Sequence, residues 1–121
     1  MRVSELRRGE TEAVIEWAHN VLGLTYPEIA GVIGTTERTI YRWRDQQVSP
    51  SPEFHEKLDR LGELRFWLET VFPDDPKKAD RWVATGRILA LDGQTPLSWI
   101  RRGRLDRVIE ILASYHNGAF V

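Results

Sequence analysis

The chain has 121 residues, 41% of them hydrophobic and 29% charged, with 17 lysines and arginines set against 18 aspartates and glutamates. A formal charge of −1 argues against a protein that clings to any polyanion it meets, and the absence of cysteine removes disulfide scaffolds and thiolate metal sites. No apolar run approaches membrane-spanning length and the N-terminal MRVSELRRGETE has no apolar signal-peptide core, so a cytoplasmic protein without membrane contact is expected.

In chain order, Met1 to Gly9 is polar and expected to fray or to form a partial turn. Thr11 is placed to cap a first helix running to about Leu22, with Ala13, Val14, Trp17, Ala18 and Val21 as its apolar stripe and Gly23 as its stop. Trp17 is assigned to the core on that spacing.

The segment Thr25 to Asp45, TYPEIAGVIGTTERTIYRWRD, has the spacing of a helix-turn-helix. Thr25 and Glu28 form a capping box, and Pro27 occupies a first-turn position where a missing N–H is harmless. Gly34 ends this short helix, and Thr36 caps the next. In that second helix Ile40 and Trp43 share one face, while Arg38, Tyr41, Arg42 and Asp45 recur on the other. The unit resembles the DNA-reading part of many bacterial repressors. That resemblance puts Thr36, Glu37, Arg38, Tyr41, Arg42 and Arg44 toward the major groove, where arginine suits guanine edges and phosphates. A plain helical corner with a solvated charged face is the alternative, since helix pairs also serve protein contacts.

Ser49-Pro50-Ser51-Pro52 then makes an extended connection, with Ser51 positioned as a helix cap. The next helix is expected over Pro52 to Phe72. Its apolar residues Phe54, Leu58, Leu61, Leu64, Trp67, Leu68, Val71 and Phe72 cover about half the circumference, wider than the usual ~100° stripe. Such a helix is either central to one core or partly buried against a second copy. Phe66 stands alone on the opposite side. After Pro73, Asp75 can cap a helix reaching about Ala84.

The run Ile88-Leu89-Ala90-Leu91 before Asp92-Gly93 has a hairpin-like turn signal without an alternating strand to pair, and a helical turn is expected there. Thr95-Pro96 starts a helix that Gly103 stops after two turns. The last helix, Leu105 to Tyr115, turns Leu105, Val108, Ile109, Leu112 and Tyr115 inward, and Asn117-Gly118 ends it.

The run Leu91-Asp92-Gly93-Gln94-Thr95-Pro96-Leu97-Ser98-Trp99-Ile100, with Gly103, Asp106-Arg107-Val108 and the ending Gly118-Ala119-Phe120-Val121, resembles the toxin-binding domain of Xre/MbcA/ParS-type antitoxins. The similarity extends over almost the whole chain, with the Xre-like part beginning at Leu22-Gly23-Leu24-Thr25-Tyr26. This sequence departs from the pattern in His116-Asn117 and in its polar N-terminal extension.

The family implies an all-α protein in which residues 1–50 form a DNA-binding helix-turn-helix and residues 51–121 a dimerisation and toxin-binding module. It implies two partners, operator DNA and a RES-domain toxin that degrades NAD, and an antitoxin that covers the toxin's cleft with its C-terminal region. A homodimer or a larger hetero-oligomer with toxin is expected, because helix-turn-helix readers usually span two half-sites. Toxin contacts are expected from Trp99, Arg102, Arg104, His116, Asn117, Gly118, Ala119, Phe120 and Val121. On physical grounds the apolar tail has no evident partner on its own helix, and a carboxylate at Val121 would suit an arginine-bearing pocket. Alternatively Phe120 folds back on its own core, and Arg101-Arg102-Gly103-Arg104 with Arg107 is a solvated helix end offsetting the dipole.

An enzyme is not expected. His19, His55 and His116 lack metal-ligand spacing, no glycine-rich phosphate loop follows a strand, and no catalytic residue, metal or cofactor is assigned. The competing reading is a stand-alone transcription regulator whose second half senses a ligand or only dimerises.

Overall fold

A computed structural model describes residues 8–46 and 48–118. Seven α-helices follow one another among them: α1 (Arg8–Asn20), α2 (Tyr26–Ile33), α3 (Glu37–Asp45), α4 (His55–Val71), α5 (Pro76–Thr85), α6 (Pro96–Arg101) and α7 (Leu105–His116). Single 3-10 turns occur at Pro52–Phe54 and Leu89–Leu91. The only extended pairing among the described residues is an antiparallel bridge between Ile88 and Gln94, so the protein is all-α. None of these helices is long and apolar enough to cross a membrane.

The chain forms two compact units, 1–62 and 63–121, with the boundary falling inside α4. In the first unit α1, α2 and α3 pack on one another. Ile15, Ala18, Leu24, Ile29 and Ile40 are buried there, each of the larger ones contributing roughly 1.5–3 kcal/mol through the water it sheds.

The start of α1 departs from expectation. The helix already runs at Arg8, and Thr11 lies within it, 1% exposed, instead of capping it. Its inward face carries Thr11, Val14, Ile15, Ala18 and Leu22, whereas Ala13 and Val21 point to solvent and Trp17 is half-buried. A threonine ahead of an apolar stripe gives a cap signal in sequence. Here its methyl and hydroxyl are packed inside, and the hydroxyl has no hydrogen-bond partner among the described residues.

The turn between α2 and α3 follows the expected chemistry. The Glu28 N–H donates to Thr25 Oγ1 at 3.2 Å and the Thr25 N–H to Glu28 Oε1 at 2.9 Å, closing the capping box. Gly34 sits at φ 87°, left-handed backbone that a side chain would strain, and its N–H returns to the Ala30 carbonyl at 2.8 Å. Thr36 caps α3 by accepting from the Thr39 N–H at 3.2 Å.

Pro50 is buried at the connection, and the helical run begins with the 3-10 turn at Pro52. Ser51 occupies the cap position, but its side chain makes no capping bond; its carbonyl accepts from the Phe54 N–H instead. The wide apolar face of α4 is explained by the boundary it crosses. Leu58 and Leu61 belong to the first unit, Leu64 and Leu68 to the second, and all four are buried.

In the second unit α6 packs on both α5 and α7. Asp75 caps α5 by accepting from the Lys78 N–H, and Thr95 caps α6 by accepting from Ser98, each at 3.2 Å. Gly103, at φ 80°, separates α6 from α7. Val83, Leu91, Ile100, Leu105, Val108 and Leu112 form the core. Tyr115 is half-buried, its ring edge-on to Trp82 at 5.9 Å, and Ile111 takes the inward place beside Leu112.

Candidate functional site

Two surfaces carry the residues singled out by sequence, one in each unit. On α3 the burial of Ile40 and Trp43 fixes which side faces away from the core. Thr36, Arg38 and Arg42 lie on that side, and among the described residues neither arginine forms an ion pair. Glu37, Tyr41 and Arg44 sit beside them and hold one another. The Tyr41 hydroxyl donates to Glu37 Oε2 at 2.6 Å, and that hydrogen bond to a carboxylate raises the phenol's pKa above its ordinary value.

Arg44 grips Asp45 through two hydrogen bonds, of 2.6 and 2.9 Å. The bond to Arg44 lowers the Asp45 carboxyl below the usual range and raises the guanidinium further above its own. The Arg44 guanidinium also lies over two rings, 4.9 Å from the centre of Tyr26 and 5.0 Å from that of Tyr41. Tyr26 is stacked at 4.2 Å on His19, and its hydroxyl donates to Glu16 Oε1 at 3.0 Å. His19 donates through Nδ1 to the Leu24 carbonyl at 2.8 Å, which fixes the ring.

A strap of aromatic and charged groups therefore ties α3 to α1 and α2. Sequence reasoning missed Tyr26, His19 and Glu16 as its members. Tyr41 and Arg44, three apart on one helix, gave half of the signal; the contacts across helices gave none before folding.

The surface of the second unit centres on Trp99. It is half-buried, with its indole Nε1–H donating to the Leu91 carbonyl at 3.2 Å. Arg102 and Arg104 both lie over its ring, at 4.6 and 5.5 Å. Arg102 donates to the side-chain oxygen of Gln94, and Arg104 meets Asp106 at 3.4 Å. Desolvation pushes the Asp106 carboxyl up, but bonds from Arg104 and from backbone N–H groups outweigh it, and the net shift is downward.

His116, Asn117 and Gly118 are not gathered with this group. Arg104 precedes α7 and His116 ends it, a separation of about 18 Å for 12 residues at the helical rise. His116 is exposed with its ring 5.6 Å from Trp67, Asn117 is the exposed C-cap, and Gly118 turns at φ 76°. Ala119, Phe120 and Val121 lie outside the described residues. Among those described, no group of three histidines or carboxylates is arranged to hold a metal ion.

These features define a class: an all-helical protein with a helix-turn-helix of capped, short helices, followed by a second helical unit with an arginine-and-tryptophan surface. A family model described as a homeodomain-like domain matches residues 2–51. The mycobacterial cidal antitoxin MbcA of Mycobacterium bovis, like that of Mycobacterium tuberculosis, is 30% identical over 100 residues, covering 83% of this chain and 86% of the relative. A probable mycobacterial cidal antitoxin of M. tuberculosis is 30% identical over 124 residues, covering 100% of both. The crystal structure of the M. tuberculosis MbcT-MbcA toxin-antitoxin complex matches with a TM-score of 0.59 and 25% identity, over 91% of this chain and 96% of that one. The chain belongs to the MbcA family of mycobacterial cidal antitoxins.

Proposed function

We propose that this chain is the antitoxin of a type II toxin-antitoxin pair, neutralising a RES-domain toxin that degrades NAD and repressing its own operon. The observation that carries the reading is the match to a probable antitoxin along the whole of both chains, so that the likeness includes both helical units. In this reading residues 1–50 read the operator, as an Xre-like dimer, and residues 51–121 dimerise and bind toxin.

The polarity of α3 supports the first role. Thr36, Arg38 and Arg42 are presented away from the core, while Glu37, Tyr41 and Arg44 lie at the edge of the contact and hold the helix in place. For the second role, Trp99, Arg102 and Arg104 supply a cationic, aromatic patch of the kind favoured in interface hot spots. His116, Asn117 and Gly118 lead into the segment Ala119-Phe120-Val121, which covers the toxin's cleft.

Co-expression with the RES-domain toxin of the proposed pair tests both roles. Cells should survive with the full chain, purified toxin should stop consuming NAD when the chain is added, and removing Gly118 to Val121 should abolish both effects. Unchanged protection by the shortened chain would remove the covering role. Operator retention without toxin capture would instead favour a stand-alone regulator.

A further inference from the structure

The turn Ile88 to Gln94 is braced by backbone and side-chain hydrogen bonds from several directions. Its ends are closed by the Ile88 N–H donating to the Gln94 carbonyl at 3.2 Å and the Gly93 N–H to the Ile88 carbonyl at 2.9 Å. Asp92 and Gly93 take left-handed backbone at φ 57° and 73° to make this possible. Three side chains from outside the turn then hold it: Trp99 on the Leu91 carbonyl, Arg102 on the Gln94 side chain, and Arg107, whose Nη2 donates to the Ala90 carbonyl at 3.3 Å. Leu91 is fully buried beneath.

What this bracing presents is Leu89, 92% exposed, the most exposed of the large hydrophobic side chains among the described residues. Beside it lies a shallow concavity of about 490 Å³ lined by Arg87, Ile88, Leu89, Ala90, Ile111 and Tyr115. A single exposed leucine is ordinary on a flexible loop. Here the backbone on either side of Leu89 is held by a tryptophan and two arginines, so the backbone part of the ordering cost is met before a partner arrives, which favours binding by an apolar anchor.

The charge beside it bears on the partner. Residues 87 to 111 contain five arginines against Asp92, Asp106 and Glu110; Arg104 pairs with Asp106 and Arg107 with Glu110, and the cation that lines the groove itself is Arg87. Ile111 and Tyr115 lie on α7, whose end at His116 leads into the C-terminal segment, so a protein receiving that segment is brought against the same helix.

We infer that Leu89 and the adjoining groove are the docking anchor for the toxin, which offers an apolar pocket rimmed by carboxylates. The inference rests on the antitoxin reading and deepens it: docking by the turn supplies affinity, and the C-terminal segment supplies the block. Leu89 is exposed and Arg87 lies outside the core, so their substitution leaves the packed interior untouched.

The test is a binding titration of the full chain against the RES-domain toxin of the proposed pair, catalytically silenced. The Leu89→Ser and Arg87→Glu variants run alongside a chain lacking residues 119–121, with thermal unfolding as the control. Leu89→Ser should weaken binding by at least about thirtyfold, the loss typical of a hot-spot side chain, with an unchanged unfolding midpoint. Arg87→Glu should weaken it through the acidic rim, and the shortened chain should still be captured. Wild-type affinity in Leu89→Ser and Arg87→Glu would overturn the inference and leave the antitoxin reading standing. Retained capture with a dimer dissociated by Leu89→Ser would overturn it too, making a second copy the occupant. No capture by the wild-type chain would end both readings together.

Discussion

The Arg44 guanidinium rests 4.9 Å from the centre of the Tyr26 ring, so the last turn of α3 is pinned to the first turn of α2. An arginine near the end of a reading helix is ordinarily counted as a DNA contact. Here its charge is engaged by Asp45 and by two aromatic rings before any nucleic acid arrives.

Arg44→Met should therefore lower stability by about 0.5–1 kcal/mol, the range for an exposed cation over a ring, measurable by urea unfolding. Its effect on operator affinity should come without a change in salt dependence, because the guanidinium is already held by Asp45 and the two rings. A salt slope reduced by about one would place Arg44 on the backbone of the duplex instead.

Arg38→Ala and Arg42→Ala should behave in the opposite way. Both side chains lie outside the core, so the unfolding midpoint should stay put while operator retention falls. A loss of toxin neutralisation in the same variants would show that the residues support the fold.

Gly34→Ala isolates a backbone effect. A methyl group there would meet nothing within 4 Å, so the only penalty is left-handed backbone at φ 87°. A loss of roughly 1 kcal/mol is expected. Chemical denaturation measures it, and a neutral result would mean that the turn relaxes.

Thr11→Val tests the unsatisfied hydroxyl inside the first unit. Valine has nearly the same shape, and the buried oxygen it removes has no partner among the described residues. Stability should rise by about 1 kcal/mol, seen as a higher thermal midpoint.

Asp45 sets a pH dependence. Its carboxyl is lowered in the folded chain by the bond to Arg44, so the folded state binds its proton less readily than the unfolded one. The stability it adds is present above the unfolded carboxylate value of about 3.9 and is lost as pH falls through the lower, folded value. Asp45→Asn should thus melt below the wild type at pH 7, and the gap should close under acid conditions. A gap that widens on acidification would contradict the assignment.

Local chemistry was the part of this molecule most open to reading from residues. Thr25 with Glu28, Gly34, Thr36, Asp75, and Thr95 with Pro96 each declare a helix end through a bond made within four residues, and each forms as expected. Thr11 and Ser51 carry the same chemical signal without acting on it. The helix around Thr11 begins further upstream, and at Ser51 a proline-led 3-10 turn uses the carbonyl. The outward placement of Arg38 and Arg42 followed from helical spacing, and the all-α class from that spacing together with the family resemblance. The strap through His19, Tyr26 and Arg44 did not, because it joins three helices. Leu89 was also hidden: inside an apolar run, spacing does not separate it from Leu91, which is buried two residues later.

The boundary inside α4 bears on how such proteins can be cut and recombined. The proline-rich stretch near residue 50 looks like the natural place to exchange one half for another, yet a break there strips the first unit of Leu58 and Leu61. A swap that preserves both halves must cross near Gly62, in mid-helix, where only a graft keeping the helical register would succeed. In the proposed reading, a new operator preference would therefore be acquired more readily by point change on α3 than by exchange of whole halves.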